Sequence, residues 1–149
     1  MSLKNLLVKQ SQVDVKFRLY LIAINGSGIL EVIPADGSPV SIFLEARYIK
    51  ILLIYNKALQ ASKHLKNEAA RGWLTNEEVA SLYVADDAIP PEPNVFTSYR
   101  SHIHGAIKEE MVRECQGQTA PHVFCSARNI GTRLITEIEI INLTRVDIC

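Results

Sequence analysis

The hydrophobic pattern of this chain changes its period at Leu44, and that change limits the possible folds more than any other feature. Before it, apolar residues between Val13 and Leu21 alternate with polar ones, which is typical of a strand with one buried face. After it, apolar residues recur at steps of three and four over 44–63, which predicts a helix of about five turns. The sequence therefore indicates a mixed α+β fold.

The first third of the chain is predicted to form an antiparallel meander over 13–44. The turn signal "NGSG" at 25–28 separates the first alternating run from "ILEVI" at 29–33. An Asp-Gly turn in "PADGS" then leads into "PVSIFL" at 39–44. Three short strands joined by tight turns follow from this spacing.

Two further helices and a hairpin are predicted after the long helix. Thr75 and Glu78 form an S/T-x-x-E capping box that starts a short helix over 74–83. A loop with three prolines follows at 84–94, and a third helix is predicted over 97–114. Two apolar, strand-like runs, "HVFCSA" and "TRLITEIEIINL", then flank the turn "RNIG".

This order predicts an α+β winged helix-turn-helix with a three-helix core over 44–116. An N-terminal antiparallel sheet precedes the core, and a C-terminal β-hairpin over 121–143 forms the wing. A length of 149 residues without a long linker predicts a single domain over 1–149.

Composition excludes several classes of protein. Sixteen basic and sixteen acidic residues give no net charge, which counts against a protein that only holds phosphates. The segment 96–134 is locally basic, with five basic residues against three acidic ones. Three cysteines without a C-x-x-C pair predict neither a disulfide framework nor a zinc site, and they fit a cytoplasmic protein.

The sequence also predicts no membrane contact and no catalysis. The first ten residues lack the apolar stretch of a signal peptide, and "IKILLIY" at 49–55 is too short to span a bilayer. No nucleophile motif, phosphate-binding loop, metal-binding motif or convergent carboxylate pair is present. We therefore expect a protein that is not an enzyme and that needs no cofactor or metal.

Two segments resemble the OmpR/PhoB-type winged-helix regulators. "SARNIGTRL" at 126–134 is similar to the wing motif T-V-R-G-V-G-Y-R-L, with Asn129 and Thr132 in place of the first Gly and the aromatic residue. "RSHIHGAIKEE" at 100–110 is similar to the pattern V-x-x-H-I-x-x-L-R-K-K of the third helix, with His102 and Ile103 matching. The absence of a receiver domain suggests a stand-alone regulator or the DNA-binding part of a ToxR/CadC-like protein.

The resemblance implies a sequence-specific, DNA-binding transcriptional regulator of bacterial type. In that family the third helix enters the major groove and the wing reaches the minor groove, usually as a dimer on DNA. It also implies RNA polymerase as a protein partner for the loop at 84–95. The DNA contacts that it implies are Thr75, Ser98, Arg100, Ser101, His104, Lys108, Arg128 and Arg133.

Three of these residues have a definable role in the implied complex. Arg100 is suited to a bidentate contact with a guanine edge, and Lys108 to a phosphate. At Thr75, the start of the second helix offers backbone N–H groups to a phosphate.

The residues alone leave simpler interpretations open. Arg100 and Lys108 fit an ordinary solvated helix face, and Arg133 fits a side chain that points outward from its strand. For Arg128 this interpretation is weaker, because it lies at the turn where a wing projects. The alternative function is a winged-helix module for protein contacts with little or no DNA binding, and salt-dependent binding to DNA separates the two.

Overall fold

The computed structural model describes residues 15–22, 24–35, 37–84, 91–114 and 119–143 of the chain. The elements in chain order are β1 (Lys16–Ile22), β2 (Gly28–Ile33), β3 (Val40–Leu44), α1 (Ala46–Ala61), a 3-10 turn (Glu68–Ala70), α2 (Asn76–Tyr83), α3 (Val95–Arg113), β4 (Phe124–Ala127), β5 (Gly131–Leu134) and β6 (Ile138–Leu143). The predicted winged helix-turn-helix arrangement is confirmed. Val13, Asp36, Cys115, Cys149 and residues 85–90 of the predicted loop lie outside the described residues.

The N-terminal meander pairs as predicted, with β1 antiparallel to β2 and β2 antiparallel to β3. Alternate residues of each strand are buried, including Leu19 in β1, Leu30 in β2 and Ile42 in β3. The turn between β1 and β2 contains Gly26 at a φ of 73°. This alternation gives the sheet one apolar face, which packs against the helices.

The prediction of one hairpin over 121–143 is wrong for its second strand. The hairpin pairing ends at Leu134, and β6 instead runs parallel to β1, so the larger sheet has the order β3-β2-β1-β6. Asn56 of α1 holds the start of β6 in this position. Its side chain accepts a hydrogen bond from Ile138 N at 2.8 Å and donates one to Ile138 O at 3.1 Å. A buried amide thus satisfies the first backbone groups of β6.

Helix α1 lies at the centre of the core, and its bounds fall within the predicted 44–63. Its residues Ile51, Leu52 and Tyr55 have no exposed surface. It contacts the sheet, both other helices and the wing strand β5. The apolar positions on more than one face of this helix are explained by that central place.

The predicted capping box at the start of α2 is confirmed. Thr75 Oγ1 accepts a hydrogen bond from Glu78 N at 3.1 Å, and Glu78 Oε1 accepts one from Thr75 N at 3.0 Å. Helix α3 begins two residues before the predicted start and buries Phe96, Ile103 and Ile107. The helices α2 and α3 contact each other and α1, which gives the three-helix core.

Candidate nucleic-acid interface

The wing is hydrogen-bonded to Leu74, two residues before helix α2. Leu74 and Thr132 exchange two backbone hydrogen bonds, each of 2.9 Å. Gly131 lies so close to this segment that a Cβ atom there would be 2.5 Å from Leu74 O, and its φ is +132°. Only glycine fits this approach without strain. The base of the wing therefore has a fixed position relative to the start of α2.

The tip of the wing presents Arg128 to solvent. A three-residue loop, 128–130, joins β4 to β5, and Ile130 N donates to Ala127 O at 3.1 Å. Asn129 has a φ of 65°, the left-handed conformation that asparagine tolerates better than most residues. Arg128 is exposed and Ile130 is about half exposed. The sequence-based placement of Arg128 at a projecting turn is therefore correct.

One face of α3 carries a row of polar side chains, which we call the α3 row and define as Thr97, Ser101, His104 and Lys108. Residues three and four apart on a helix lie on one face, so these four form a continuous stripe. All of them are exposed except His104, which is half-buried. The predicted contact residue Ser98 is exposed next to this stripe.

Arg100 is turned towards the protein instead of towards solvent. Its Nη1 donates to the Tyr55 hydroxyl at 3.0 Å and to Asn76 Oδ1 at 2.8 Å, and its Nη2 donates to Thr97 Oγ1 at 3.3 Å. Burial raises the pKa of the Tyr55 hydroxyl from its ordinary value, and the Arg100 guanidinium partly offsets that rise. In this arrangement Arg100 connects α3 to α1 and to the start of α2.

Arg133 is buried, with 4% of its surface exposed, which differs from both sequence-based interpretations. Its Nη1 donates to Glu68 O at 2.8 Å and to Arg71 O at 3.2 Å. The guanidinium lies 4.8 Å from the centre of the Trp73 ring, in a cation–π contact. The side chain therefore joins the wing to the 3-10 turn, and it does not lie among the exposed basic groups.

At Thr75, two of the backbone N–H groups at the start of α2 are used within the protein, those of Thr75 and Glu78. The backbone N–H and the hydroxyl both take part in the capping box with Glu78. The first turn of α2 also carries Glu77, so two carboxylates lie where the helix dipole would attract an anion. A phosphate at this position would meet negative charge.

His122 is a neighbour of the α3 row that sequence reasoning missed. Its ring stacks on that of His104, with centroids 4.2 Å apart and planes 5° apart. His122 precedes β4, so the contact joins the beginning of the wing to the middle of α3. The two residues are 18 positions apart, and no local pattern reports their proximity.

The environment of His104 disfavours its charged form. Burial lowers its pKa from the ordinary value, and the charges of His122 and Lys108 lower it further, whereas a contact with the Pro121 backbone acts in the opposite direction. The Nδ1 atom of His104 is buried, and it has no hydrogen-bond partner within the described part of the chain. At neutral pH His104 is therefore largely uncharged.

Among the described residues, no helix is both long and apolar enough to cross a membrane. Within the same residues, no three His, Cys, Asp or Glu side chains are placed to hold a metal ion.

Comparison with known proteins gives little beyond this geometry. No protein-family model matches the chain, and no curated protein matches its sequence. Among solved structures, the DNA-binding domain of E. coli CadC is similar at 14% identity, over 75% of this chain and 79% of that one, with a TM-score of 0.41. A likeness at this level carries no argument about function, so the functional assignment rests on this chain's own residues.

Proposed function

We propose that this chain is a sequence-specific, DNA-binding transcriptional regulator that inserts α3 in the major groove and the wing in the minor groove. One observation carries the proposal: both strands of the wing are attached to the helix-turn-helix. Thr132 in β5 is bonded to Leu74 ahead of α2, and His122 ahead of β4 stacks on His104 of α3. The wing tip and the α3 row thus belong to one unit, as simultaneous contact with two adjacent grooves requires.

The dimensions and chemistry of α3 suit the major groove. Its 19 residues give a length of about 28 Å, and the major groove of B-DNA, about 12 Å wide, admits a helix. The hydroxyl of Ser101 is a group that hydrogen-bonds to base edges, and the His104 imidazole and the Lys108 ammonium suit a phosphate. Ser98 lies beside this row as a further hydroxyl.

Arg128 is the residue that we assign to the minor groove. It is exposed on a narrow three-residue loop, and arginine is the side chain favoured by the negative potential of a narrow minor groove. Arg100 and Arg133 are not assigned to base contact, because their guanidinium groups are bonded within the protein. Thr75 remains a weaker candidate for phosphate contact because of Glu78.

Three further parts of the proposal concern the setting of the protein. A regulator of this kind is expected to bind as a dimer on repeated half-sites and to act in the cytoplasm. RNA polymerase is the expected protein partner of the 84–95 loop, of which residues 85–90 lie outside the described part of the chain.

A second candidate function, a module for protein contacts, is favoured by one specific surface. Leu53 and Ile54 of α1 and Leu82 of α2 line an apolar groove, and 57% of Leu82 is exposed. Lys57 lies at the same groove. The zero net charge of the chain is compatible with this function as well.

Selection from a random pool of double-stranded DNA separates the two functions. The proposal expects a consensus to emerge, and binding to the selected duplex to weaken with salt. The Arg128→Ala variant should bind more weakly and lose about 0.9 units of the slope of log K against log salt, if Arg128 neutralises one phosphate. Failure of any duplex to bind at low salt would overturn the proposal.

Lys57→Ala is the matched control for the wing variant. It removes one exposed positive charge from α1, on the groove between α1 and α2. The DNA-binding proposal expects this variant to bind the selected duplex with the wild-type salt slope. If both variants lost the same amount of the slope of log K against log salt, binding would depend on the total charge of the protein and not on a contact made by the wing.

A further inference from the structure

The stacked pair His104 and His122 differs from the other two histidines of the chain. His64 contacts Ala61 O at 3.1 Å and is exposed, and His102 stacks on the Tyr48 ring at 4.2 Å. His104 and His122 place two imidazole rings against each other. They do so where the wing meets the α3 row.

Three basic groups converge at this junction. Lys108 lies one helical turn beyond His104, and its charge acts on the His104 ring. On the same helix, the acidic residues Glu109 and Glu110 form ion pairs with Arg113, at 3.9 Å and 3.2 Å. The charges that lower the pKa of His104 are those of His122 and Lys108.

Such a cluster holds less than its full positive charge in the free protein. Two stacked imidazoles repel each other when both are protonated, and the ammonium of Lys108 adds to that repulsion. A group with one negative charge placed against the cluster would offset this repulsion and stabilise the protonated rings. The junction is thus suited to an anion whose arrival brings a proton with it.

We propose that His104, His122 and Lys108 form a phosphate-contact site for the DNA backbone, and that DNA binding is coupled to proton uptake by the two stacked histidines. The inference rests on the proposed function and adds His122 to its interface. The phosphate lies at the junction of α3 and the wing, where the backbone between two adjacent grooves would pass. Protonation changes no covalent bond, and the proton comes from solvent.

Linkage fixes the sign of the effect. His104 is largely uncharged at neutral pH in the free protein, and the site carries an added proton in the complex, so affinity rises as pH falls. Uptake of one proton corresponds to a change of about tenfold in affinity per pH unit, within the range between the free and bound pKa values. Above that range both states are unprotonated, and the dependence disappears.

The test measures affinity for the selected duplex at constant ionic strength between about pH 5 and pH 8, the range in which histidines titrate. If selection yields no consensus, a mixed-sequence duplex at low salt takes its place. Wild type should lose affinity as pH rises, His122→Gln should show a smaller dependence, and the His104→Gln/His122→Gln double variant should show none. His64→Gln is the matched control and should keep the wild-type dependence.

A second readout follows the rings directly. The Cε1–H resonances of the four histidines, titrated with and without DNA, should show higher pKa values for His104 and His122 in the complex and no change for His64. This measurement does not depend on any variant and so holds even where a substitution disturbs folding.

Two results would overturn the inference in distinguishable ways. Binding to DNA without pH dependence, or with the same dependence in the double variant as in wild type, refutes proton uptake while leaving the proposed function intact. Absence of DNA binding at every pH refutes the proposed function, and the inference fails with it.

Discussion

Arg100 of α3 donates a hydrogen bond of 3.0 Å to the hydroxyl of Tyr55, a residue of α1 with no exposed surface. The same nitrogen binds Asn76 at the first position of α2. One guanidinium thus holds all three helices of the core at the point where they converge. A residue that resembles a base reader in the sequence is, in the structure, a positioning residue for α3.

The first prediction follows from this contact. Arg100→Ala leaves the buried Tyr55 hydroxyl without its charged partner and should lower the free energy of unfolding by about 1–3 kcal/mol. Tyr55→Phe should cost about 0.5–1.5 kcal/mol. Because the residues share one bond, the double variant should lose less than the sum of the two, as measured by equilibrium unfolding in urea.

A control on the same helix completes that experiment. Arg113 is exposed and forms only surface ion pairs, so Arg113→Ala should cost less than about 1 kcal/mol. An Arg100→Ala variant with wild-type stability and a lost preference for one guanine would contradict the positioning role and restore the base contact.

The second prediction concerns the negative charge at the start of α2. Glu78→Gln keeps an oxygen that can accept from Thr75 N, so the capping box should persist, with a stability loss of about 0.3–1 kcal/mol from the helix dipole. If DNA phosphates approach this end of α2, removing the carboxylate charge should tighten binding at low salt. The gain should shrink as salt screens it.

Glu139→Gln serves as the comparison. This exposed carboxylate lies on the larger sheet, in β6, where it pairs with Arg18 of β1 at 3.0 Å. Duplex affinity should be the same for this variant and for wild type. Tighter binding by both variants would assign the effect to net charge and would leave the start of α2 outside the interface.

The parts of the fold that could be predicted are those with local signals. The alternation in β1, the capping box at Thr75 and the period of α1 all depend on residues close together in sequence. The place of β6 depends on pairing with β1, more than 100 residues earlier, and on Asn56, which is 82 residues from Ile138. The alternating pattern of β6 fits an edge strand of the larger sheet and of the wing hairpin equally well, so periodicity could not predict which of the two sheets β6 joins.

The same distinction explains the site. The exposure of Lys108 and Arg128 follows from a helix face and a turn, which are local. The inward direction of Arg100 and Arg133 does not, because their partners Tyr55 and Glu68 lie 45 and 65 residues away. From sequence alone, an arginine on a polar face is predicted to be solvated, because acceptors that lie far away in the sequence give no local signal.

Gly105 supports the last prediction, because it lies exposed in the middle of α3 beside the α3 row. A Cβ atom there would meet nothing within 4 Å, so the protein's own packing does not explain a glycine at this position. Gly105→Ala should therefore raise the free energy of unfolding by up to about 1 kcal/mol through helix propensity. If α3 lies deep in the major groove, the added methyl group should weaken DNA binding severalfold despite the gain in stability.

Val112→Ala separates these two effects. Val112 is 71% exposed on the same helix, about two turns beyond Gly105, and alanine favours the helix there as well. Thermal unfolding and duplex affinity should show both variants stabilised and only Gly105→Ala impaired in binding. Wild-type affinity in a stabilised Gly105→Ala protein would mean that no DNA surface approaches the backbone of α3 at that residue.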